Sequence, residues 1–140
     1  MIEPKQQKVL VADDSPLARE LIVEMLSDLE IEVVSAESGE EAIEHFLKNQ
    51  FALVLLDVLM GGISGFETAA RIRALDHDNN EVPIIFVTAT NTDATNIFEG
   101  YEAGAVDYLL KPVDKQTLRS KVSVFCRLHA QRDVIQGPVG

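Results

Sequence analysis

Three aspartates, one threonine and one lysine stand where apolar segments of this sequence end. Asp13 and Asp14 close the segment KVLVADD, and Asp57 closes FALVLLD. Thr88 ends VPIIFVT, and Lys111 directly follows DYLL. A carboxylate beside an apolar segment loses hydration, which is costly unless something compensates its charge. Together these residue types could bind a divalent metal ion and a phosphorylated group, provided that the fold gathers them at one place.

The elements that must position these residues are five strand–helix units. Apolar segments rich in Val, Ile and Leu alternate with segments of helical periodicity along the whole chain. Near-continuous apolar strands are typical of a parallel sheet that is covered on both faces. The pattern predicts an α/β fold, with a single doubly wound five-stranded parallel sheet flanked by five helices.

A five-stranded sheet in the order 2-1-3-4-5 brings the three aspartates together. Strands one and three are then neighbours, about 4.8 Å apart, so that Asp13, Asp14 and Asp57 share one pocket. Each pair of carboxylates at ~4 Å costs about 4 kcal/mol at an effective dielectric constant near 20. Lys111 can offset only one of these charges. Mg²⁺, or Mn²⁺ in its place, resolves the rest and keeps coordination positions that phosphate oxygens can occupy.

The first helix carries the clearest local signals. Ser15 is the predicted N-cap, with Pro16 at the first helical position. Four residues repeat at a spacing of four and predict one buried stripe: Leu17, Leu21, Met25 and Leu29.

The last predicted helix supports two interpretations. Its apolar residues are Leu118, Val122, Phe125 and Leu128. They form either the core face of the fifth helix, or part of a helical connector or dimer surface. We expect a domain over residues 1–130 and a tail or linker to a downstream domain over 131–140.

Composition narrows the classes of function. The 140 residues carry 12 Lys plus Arg against 23 Asp plus Glu, a net charge of −11. Such a surface repels phosphate backbones, so we expect no direct nucleic-acid binding by this segment. No apolar run approaches the ~20 residues of a membrane helix, and no export signal is evident. The one cysteine, Cys126, excludes an internal disulfide and indicates a buried structural thiol in a reducing cytoplasm.

The segments ADDS, LLD, VTA and DYLLKP, in this order, identify a resemblance. From about Lys8 to Leu128 the chain resembles a response-regulator receiver domain, the phosphoacceptor module of two-component signalling, with its flavodoxin-like fold. The resemblance implies that Asp57 accepts a phosphoryl group from a histidine kinase or a histidine phosphotransfer protein, forming an acyl phosphate.

The resemblance also implies the ligands of the metal ion. Asp14, Asp57 and the backbone carbonyl of Leu59 would bind Mg²⁺ directly. Asp13 would orient the ion through water or act as a further ligand.

Other positions would contact the phosphoryl group or respond to it. Lys111, the hydroxyl of Thr88 and the amide of Ala89 would contact its oxygens. Thr88 moving toward the phosphoryl group would let Tyr108 rotate inward, changing the surface formed by helix four, strand five and helix five. The resemblance further implies a cis peptide bond between Lys111 and Pro112.

The sequence departs from the family pattern near the phosphoacceptor. Gly61 stands where the family often has proline, and Ser64 where aspartate is common. The segment between Thr88 and Lys111 is one residue longer than is typical, so we expect helix four to start differently.

Two other functions compete with a phosphorylation-controlled switch, which would not be an enzyme beyond self-phosphotransfer and autodephosphorylation. One is a degenerate receiver that acts as a constitutive interaction module. The other is a Mg²⁺-dependent phosphohydrolase of the haloacid-dehalogenase type, but that class needs an acid two residues after the nucleophile, where this chain has Leu59. The expected partners of the switch are the phosphodonor, a downstream output domain or protein, and a second copy in a phosphorylation-dependent homodimer.

Overall fold

The computed structural model describes residues 6–89 and 107–136 of the 140-residue chain. In chain order the elements of these residues are β1 (Gln7–Ala12), α1 (Pro16–Met25), β2 (Ile31–Ala36), α2 (Gly39–Lys48), β3 (Leu53–Asp57), α3 (Gly65–Ala74), β4 (Ile84–Thr88), β5 (Asp107–Leu110) and α4 (Lys115–Gln136).

The five strands form one sheet in the order β2-β1-β3-β4-β5, and every neighbouring pair is parallel. This confirms the predicted sheet and its order. The helix predicted over residues 92–104 lies outside the described residues, so α4 corresponds to the fifth predicted helix. Of the helices in the described ranges, none has both the length and the apolar character needed to span a membrane.

The central strand β3 shows why its sequence is apolar throughout. Val54 and Leu56 belong to the core cluster formed with α2 and α3, whereas Leu53 and Leu55 belong to the cluster formed with α1 and α4. Successive side chains of a strand point to opposite faces, and here both faces are covered. A strand of this kind cannot alternate apolar and polar residues, so the polar residue at its end, Asp57, stands out.

Each described helix begins at a polar cap. Ser15, Ser38, Ser64 and Asp114 each accept a hydrogen bond from the backbone N–H three residues later, at 2.8 to 3.3 Å. These contacts satisfy amide donors that have no partner within the helix. The prediction that Ser15 caps α1, with Pro16 next to it, is confirmed.

The predicted buried stripe of α1 is wrong in its first half. Leu17 is 65% exposed and Leu21 is 46% exposed, while the buried residues are Ile22 and Leu26. Residues four apart are rotated by about 40° around a helix of 3.6 residues per turn, so a strict row of fours winds away from the core. Later members of the row, Met25 and Leu29, do pack against the α1 and α4 cluster.

The last helix supplies core on one side and exposes apolar side chains on another. Leu118 and Val122 are fully buried, whereas Leu128 is 49% exposed. Cys126 is buried, and that burial raises the pKa of its thiol to about 11, as expected for a structural cysteine. The helix runs to Gln136, and the division into a domain and a tail near residue 130 stays a prediction.

Candidate functional site

The carboxyl ends of β1 and β3 bring the three aspartates together. Ala12 pairs with Leu56 in the sheet, so Asp13 and Asp57 lie side by side at the same edge. Each of Asp13, Asp14 and Asp57 offers a carboxylate oxygen, and these oxygens all lie within 4.8 Å of one another. Asp13 and Asp57 are buried, and Asp14 is exposed. We call these three residues the acidic cluster.

Lys111 reaches the acidic cluster from the end of β5. Its Nζ lies 2.8 Å from Asp13 Oδ2 and 3.6 Å from Asp57 Oδ2. Its backbone N–H donates to the carbonyl of Thr88 at 2.8 Å, and the peptide bond to Pro112 is cis, as predicted. Lys111 therefore binds Asp13 more closely than it binds Asp57, the predicted phosphoacceptor.

Asp13 is the most constrained member of the cluster. It is 2% exposed, its Oδ1 accepts from the Ser15 N–H at 2.9 Å, and its Oδ2 accepts from Lys111. Its backbone carbonyl accepts from Arg19 Nη1 at 2.7 Å, and its backbone N–H donates to Ala36 at 3.1 Å. Both carboxylate oxygens thus have protein donors, so Asp13 is held in place by contacts from α1, β2 and β5.

Asp14 is linked to the loop that follows β3. Its Oδ2 accepts from the backbone N–H of Gly61 at 3.2 Å. Gly61 departs from the family pattern, but its sequence context does not predict this contact. Proline has no N–H to donate, so the residue common at this position in the family could not form it. The side chain of Leu59, in the same loop, is 70% exposed.

The negative charge around Asp57 exceeds what Lys111 can balance. The pKa of its carboxyl is raised from 3.8 to about 6: burial is the largest cause, the charge of Asp13 adds to the rise, and Lys111 opposes it. Burial alone would lower the pKa of Lys111, but its hydrogen bond to Asp13 and the charge of Asp57 outweigh burial and raise it. The site thus combines one firmly protonated lysine with a carboxylate whose charge lacks full compensation.

Gly65 fixes the position of the Asp57 backbone. A Cβ at this first residue of α3 would lie 2.2 Å from the Asp57 carbonyl oxygen and 3.1 Å from the Val58 Cα. No side chain fits at such distances, so α3 abuts the end of β3 directly. Sequence reasoning missed this role, although the capping serine and the glycine in ISGFE were visible.

Thr88 and Tyr108 lie on the neighbouring strands. Thr88 ends β4 and is 2% exposed, while Ala89 after it is exposed. Tyr108 is the register partner of Phe86, and their rings lie 5.7 Å apart at 42°. All residues predicted for the site therefore lie at one edge of the sheet. Those from the first four strands are within two residues of the carboxyl ends of β1, β3 and β4, and the others lie on β5 or directly after it.

The donor set fits a hard divalent cation. Three carboxylates with oxygens within 4.8 Å of one another are oxygen ligands of the kind that Mg²⁺ takes. The raised pKa of Asp57 agrees with such a site, because the ionised carboxylate is poorly compensated and a nearby dication would favour it.

Comparisons with known proteins agree with this geometry. The family model for the response regulator receiver domain matches residues 9–123. The transcriptional regulatory protein ResD of Bacillus subtilis is 33% identical over 131 residues, which cover 94% of this chain and 52% of ResD. The chain spans about half the length of the curated relatives it matches.

Solved structures show the same similarity. A crystal structure of a putative response regulator from Chloroflexus aurantiacus is 35% identical, with a TM-score of 0.78, and covers 88% of this chain and 99% of its own. The chemotaxis protein CheY4 of Vibrio cholerae is 30% identical, with a TM-score of 0.80, and covers 86% and 99%. Receiver domains bind Mg²⁺ at an acidic cluster such as the one formed here. With its five-stranded parallel sheet and this strand-end cluster, the chain belongs to the response regulator receiver domain family.

Proposed function

We propose that this chain is a phosphorylation-dependent switch in which Asp57 accepts a phosphoryl group from a phosphohistidine of a partner kinase or phosphotransfer protein. The observation that carries the proposal is the grouping of Asp57 with Asp13 and Asp14, within 4.8 Å, and with Lys111 Nζ at 3.6 Å. A carboxylate in this position is held rigidly at a strand end. It also lies next to Lys111, whose ammonium group can move to contact negative charge that is added to Asp57.

In the proposed step an Asp57 Oδ atom forms a bond to phosphorus while the phosphorus–nitrogen bond of phosphohistidine breaks. The histidine nitrogen leaves with the bonding electron pair, and Asp57 becomes an acyl phosphate. With a pKa of about 6, most Asp57 is already ionised at pH 7 and able to attack. Asp14, Asp57 and the Leu59 carbonyl would hold Mg²⁺, with Asp13 as orienting residue, and the ion would neutralise charge on the phosphoryl oxygens.

Protein groups stabilise the product in this proposal. Lys111 exchanges part of its contact with Asp13 for the phosphoryl oxygens, while the Thr88 hydroxyl and the Ala89 N–H donate to them. The chain's own catalysis is limited to this self-phosphotransfer and to hydrolysis of its own acyl phosphate.

The output of the switch would pass through β5 and the surface around it. A phosphoryl group adds roughly 1.5–2 negative charges. Thr88 drawn toward that charge would leave space next to Phe86, where the ring of Tyr108 already packs. Rotation of Tyr108 would alter the face shared by β5, α4 and the predicted helix of residues 92–104, which a downstream output domain, a target protein or a second copy would recognise. The name of ResD suggests transcriptional control as the output.

Intact mass spectrometry tests the proposal. The chain is incubated with Mg²⁺ and acetyl phosphate, and we expect one added phosphoryl group per chain. The adduct should be absent with EDTA and in Asp57→Asn, and present in Asp78→Asn, a matched substitution at an aspartate whose side chain is 84% exposed.

Two outcomes would contradict the proposal. A folded wild-type chain without any adduct would instead be a constitutive interaction module. Steady turnover of generic phosphomonoesters would identify a phosphohydrolase.

A further inference from the structure

The last helix reverses the charge of the rest of the chain. Its 22 residues, Lys115–Gln136, contain five basic residues and one acidic residue, a net charge of +4. Because the whole chain carries −11, the remainder carries −15. Among the described helices, α1 and α2 are acidic and α3 carries only +1, so α4 is the most positive and the one best able to attract an anionic partner.

Three of these cations line one groove. It has a volume of about 600 Å³ and lies along α4 beside Leu29, with Lys115, Arg119 and Arg127 on its walls. The three residues are four and eight positions apart, and all of them line the same groove, so they lie on one side of the helix. From Lys115 to Arg127 this face extends roughly 18 Å along the helix axis.

The charges of the groove are only partly balanced. Arg119 Nη2 lies 2.8 Å from Asp28 Oδ2, and Arg119 Nε is buried without a hydrogen-bond partner among the residues described. Lys115 and Arg127 are exposed, and neither has a carboxylate within ion-pair distance in the described ranges. By contrast, Lys121, elsewhere on the same helix, is paired with Asp107. The groove therefore retains net positive charge.

The groove is also partly apolar. Val124, between Arg119 and Arg127 in the sequence, is 46% exposed, and Leu29 contributes a partly buried side chain at the other wall. An occupant that satisfies both features presents acidic side chains together with an apolar stripe. Helices bind to grooves in this way through residues spaced three and four apart.

We propose that this groove binds an acidic amphipathic helix of a partner protein. A helix of about 14 residues, roughly 20 Å long, spans the three cations. A nucleic acid is disfavoured because its extended phosphate backbone would also meet the acidic remainder of the chain. The proposal is independent of phosphorylation at Asp57.

Fluorescence anisotropy with a defined probe tests the proposal. The probe is a fluorescein-labelled peptide of about 14 residues, with Glu on one helical face and Leu on the other. We expect saturable binding to the full chain that weakens as salt is added. A peptide of the same pattern with Gln in place of Glu should bind much more weakly, because the charge attraction is lost.

Two substitutions with equal effect on net charge locate the binding. Arg127→Glu and Lys48→Glu each change the net charge from −11 to −13. Lys48 is exposed at the end of α2, which packs on the other face of the sheet. We expect Arg127→Glu to weaken binding about tenfold because attraction becomes repulsion, and Lys48→Glu to change it by less than about twofold. Val124→Glu, at an exposed position, should weaken binding as well, and circular dichroism checks that each variant is folded.

Several results would overturn the proposal. Equal weakening by Lys48→Glu and Arg127→Glu would indicate unspecific charge attraction. Tighter binding of an oligothymidylate than of the acidic peptide would assign the groove to nucleic acid. A wild-type dimer in sedimentation analysis that Arg127→Glu converts to monomer would assign it to a second copy of the chain. Absence of peptide binding at low salt would show that the groove does not bind an acidic amphipathic helix.

Discussion

The polar side chains at the two ends of the parallel sheet differ in how well their charges and hydrogen bonds are satisfied. At the carboxyl end, the acidic cluster crowds like charges, and Lys111 compensates them in part. At the amino end of β3 and β4, side-chain donors of the loop of residues 76–82 and of Arg73 each satisfy backbone carbonyls. Asn80 Nδ2 donates to the carbonyls of Arg73 and Leu75 at 3.0 and 3.1 Å, and Asn79 Nδ2 donates to the carbonyl of Phe51 at 2.9 Å. We call this second region the asparagine loop.

The polar contacts at the amino end stabilise the folded state, whereas the charge of Asp57 at the carboxyl end opposes it. Each amide of the asparagine loop satisfies a backbone carbonyl, and a satisfied buried hydrogen bond contributes about 1 kcal/mol. Arg73 adds two more donors to the carbonyls of Asn80 and Val82, at 2.9 and 2.7 Å. At the acidic cluster, by contrast, burial and then the charge of Asp13 raise the pKa of Asp57 to about 6, so ionisation of this carboxylate lowers the stability of the folded state.

The largest effect is expected from Asp57→Asn. The folded pKa exceeds the unfolded value of 3.8, so the folded chain holds this proton more tightly, and stability falls as pH rises from about 4 through 6. In metal-free buffer at pH 7 the substitution should raise the free energy of unfolding by up to about 3 kcal/mol. Urea denaturation at pH 7 and pH 5 measures this, and the gain should shrink at pH 5. A loss of stability at pH 7 would refute the electrostatic interpretation.

The next largest effect has the opposite sign and belongs to the asparagine loop. Asn80→Ala leaves the carbonyls of Arg73 and Leu75 without their donor and should lower the free energy of unfolding by about 2 kcal/mol. Asp78→Ala, at a neighbouring exposed residue, serves as the control and should change it by less than about 0.5 kcal/mol. Phosphorylation by acetyl phosphate should be unchanged in the folded Asn80→Ala chain. An equal effect of the two substitutions would remove the distinction between the two ends.

Mg²⁺ should stabilise the carboxyl end by an intermediate amount. A ligand that binds the folded chain at ten times its dissociation constant adds about 1.4 kcal/mol to the free energy of unfolding. Thermal denaturation with and without Mg²⁺ measures the shift, and isothermal calorimetry measures the binding itself. Asp14→Asn should abolish most of the shift, since Asp14 is an exposed member of the cluster. Binding that persists unchanged in this variant would place the ion elsewhere.

The smallest effect is expected at Gly61. A Cβ at this residue meets no atom within 4 Å, and alanine keeps the N–H that donates to Asp14. Gly61→Ala should therefore stabilise the chain by about 0.5 kcal/mol through the reduced entropy of the unfolded state. Gly61→Pro, which lacks the donor, should be less stable than Gly61→Ala in the same urea titration. Equal stability of the two variants would show that the contact to Asp14 contributes nothing measurable.

The sequence predicted the sheet and the members of its acidic cluster because both depend on coarse patterns. Apolar strands end visibly, and parallel strands place Asp13, Asp57 and Lys111 at one edge whatever their exact conformation. Individual contacts and the exposure of single side chains could not be predicted from the sequence. That Lys111 lies closer to Asp13 than to Asp57 depends on differences of less than an ångström, and the exposure of Leu17 depends on how α1 is rotated against the sheet.

The asparagine loop shows a second limit. Nothing near Asn79 in the sequence indicates that its amide binds the carbonyl of Phe51, 28 residues away. Such contacts arise from tertiary packing and leave no periodic pattern. The residues of the predicted site remained identifiable because charged groups next to apolar strands are rare enough to stand out.

The close approach of Gly65 to Asp57 has a mechanical consequence. With no room for even a methyl group between the first residue of α3 and the carbonyl of Asp57, the strand end and the helix behave as one rigid piece. Any main-chain displacement of Asp57 toward α3 must push the helix along with it. Asp57, the proposed phosphoacceptor, thus has a stiff support on one side, so a phosphoryl group added there would be accommodated on the side of β4 and β5.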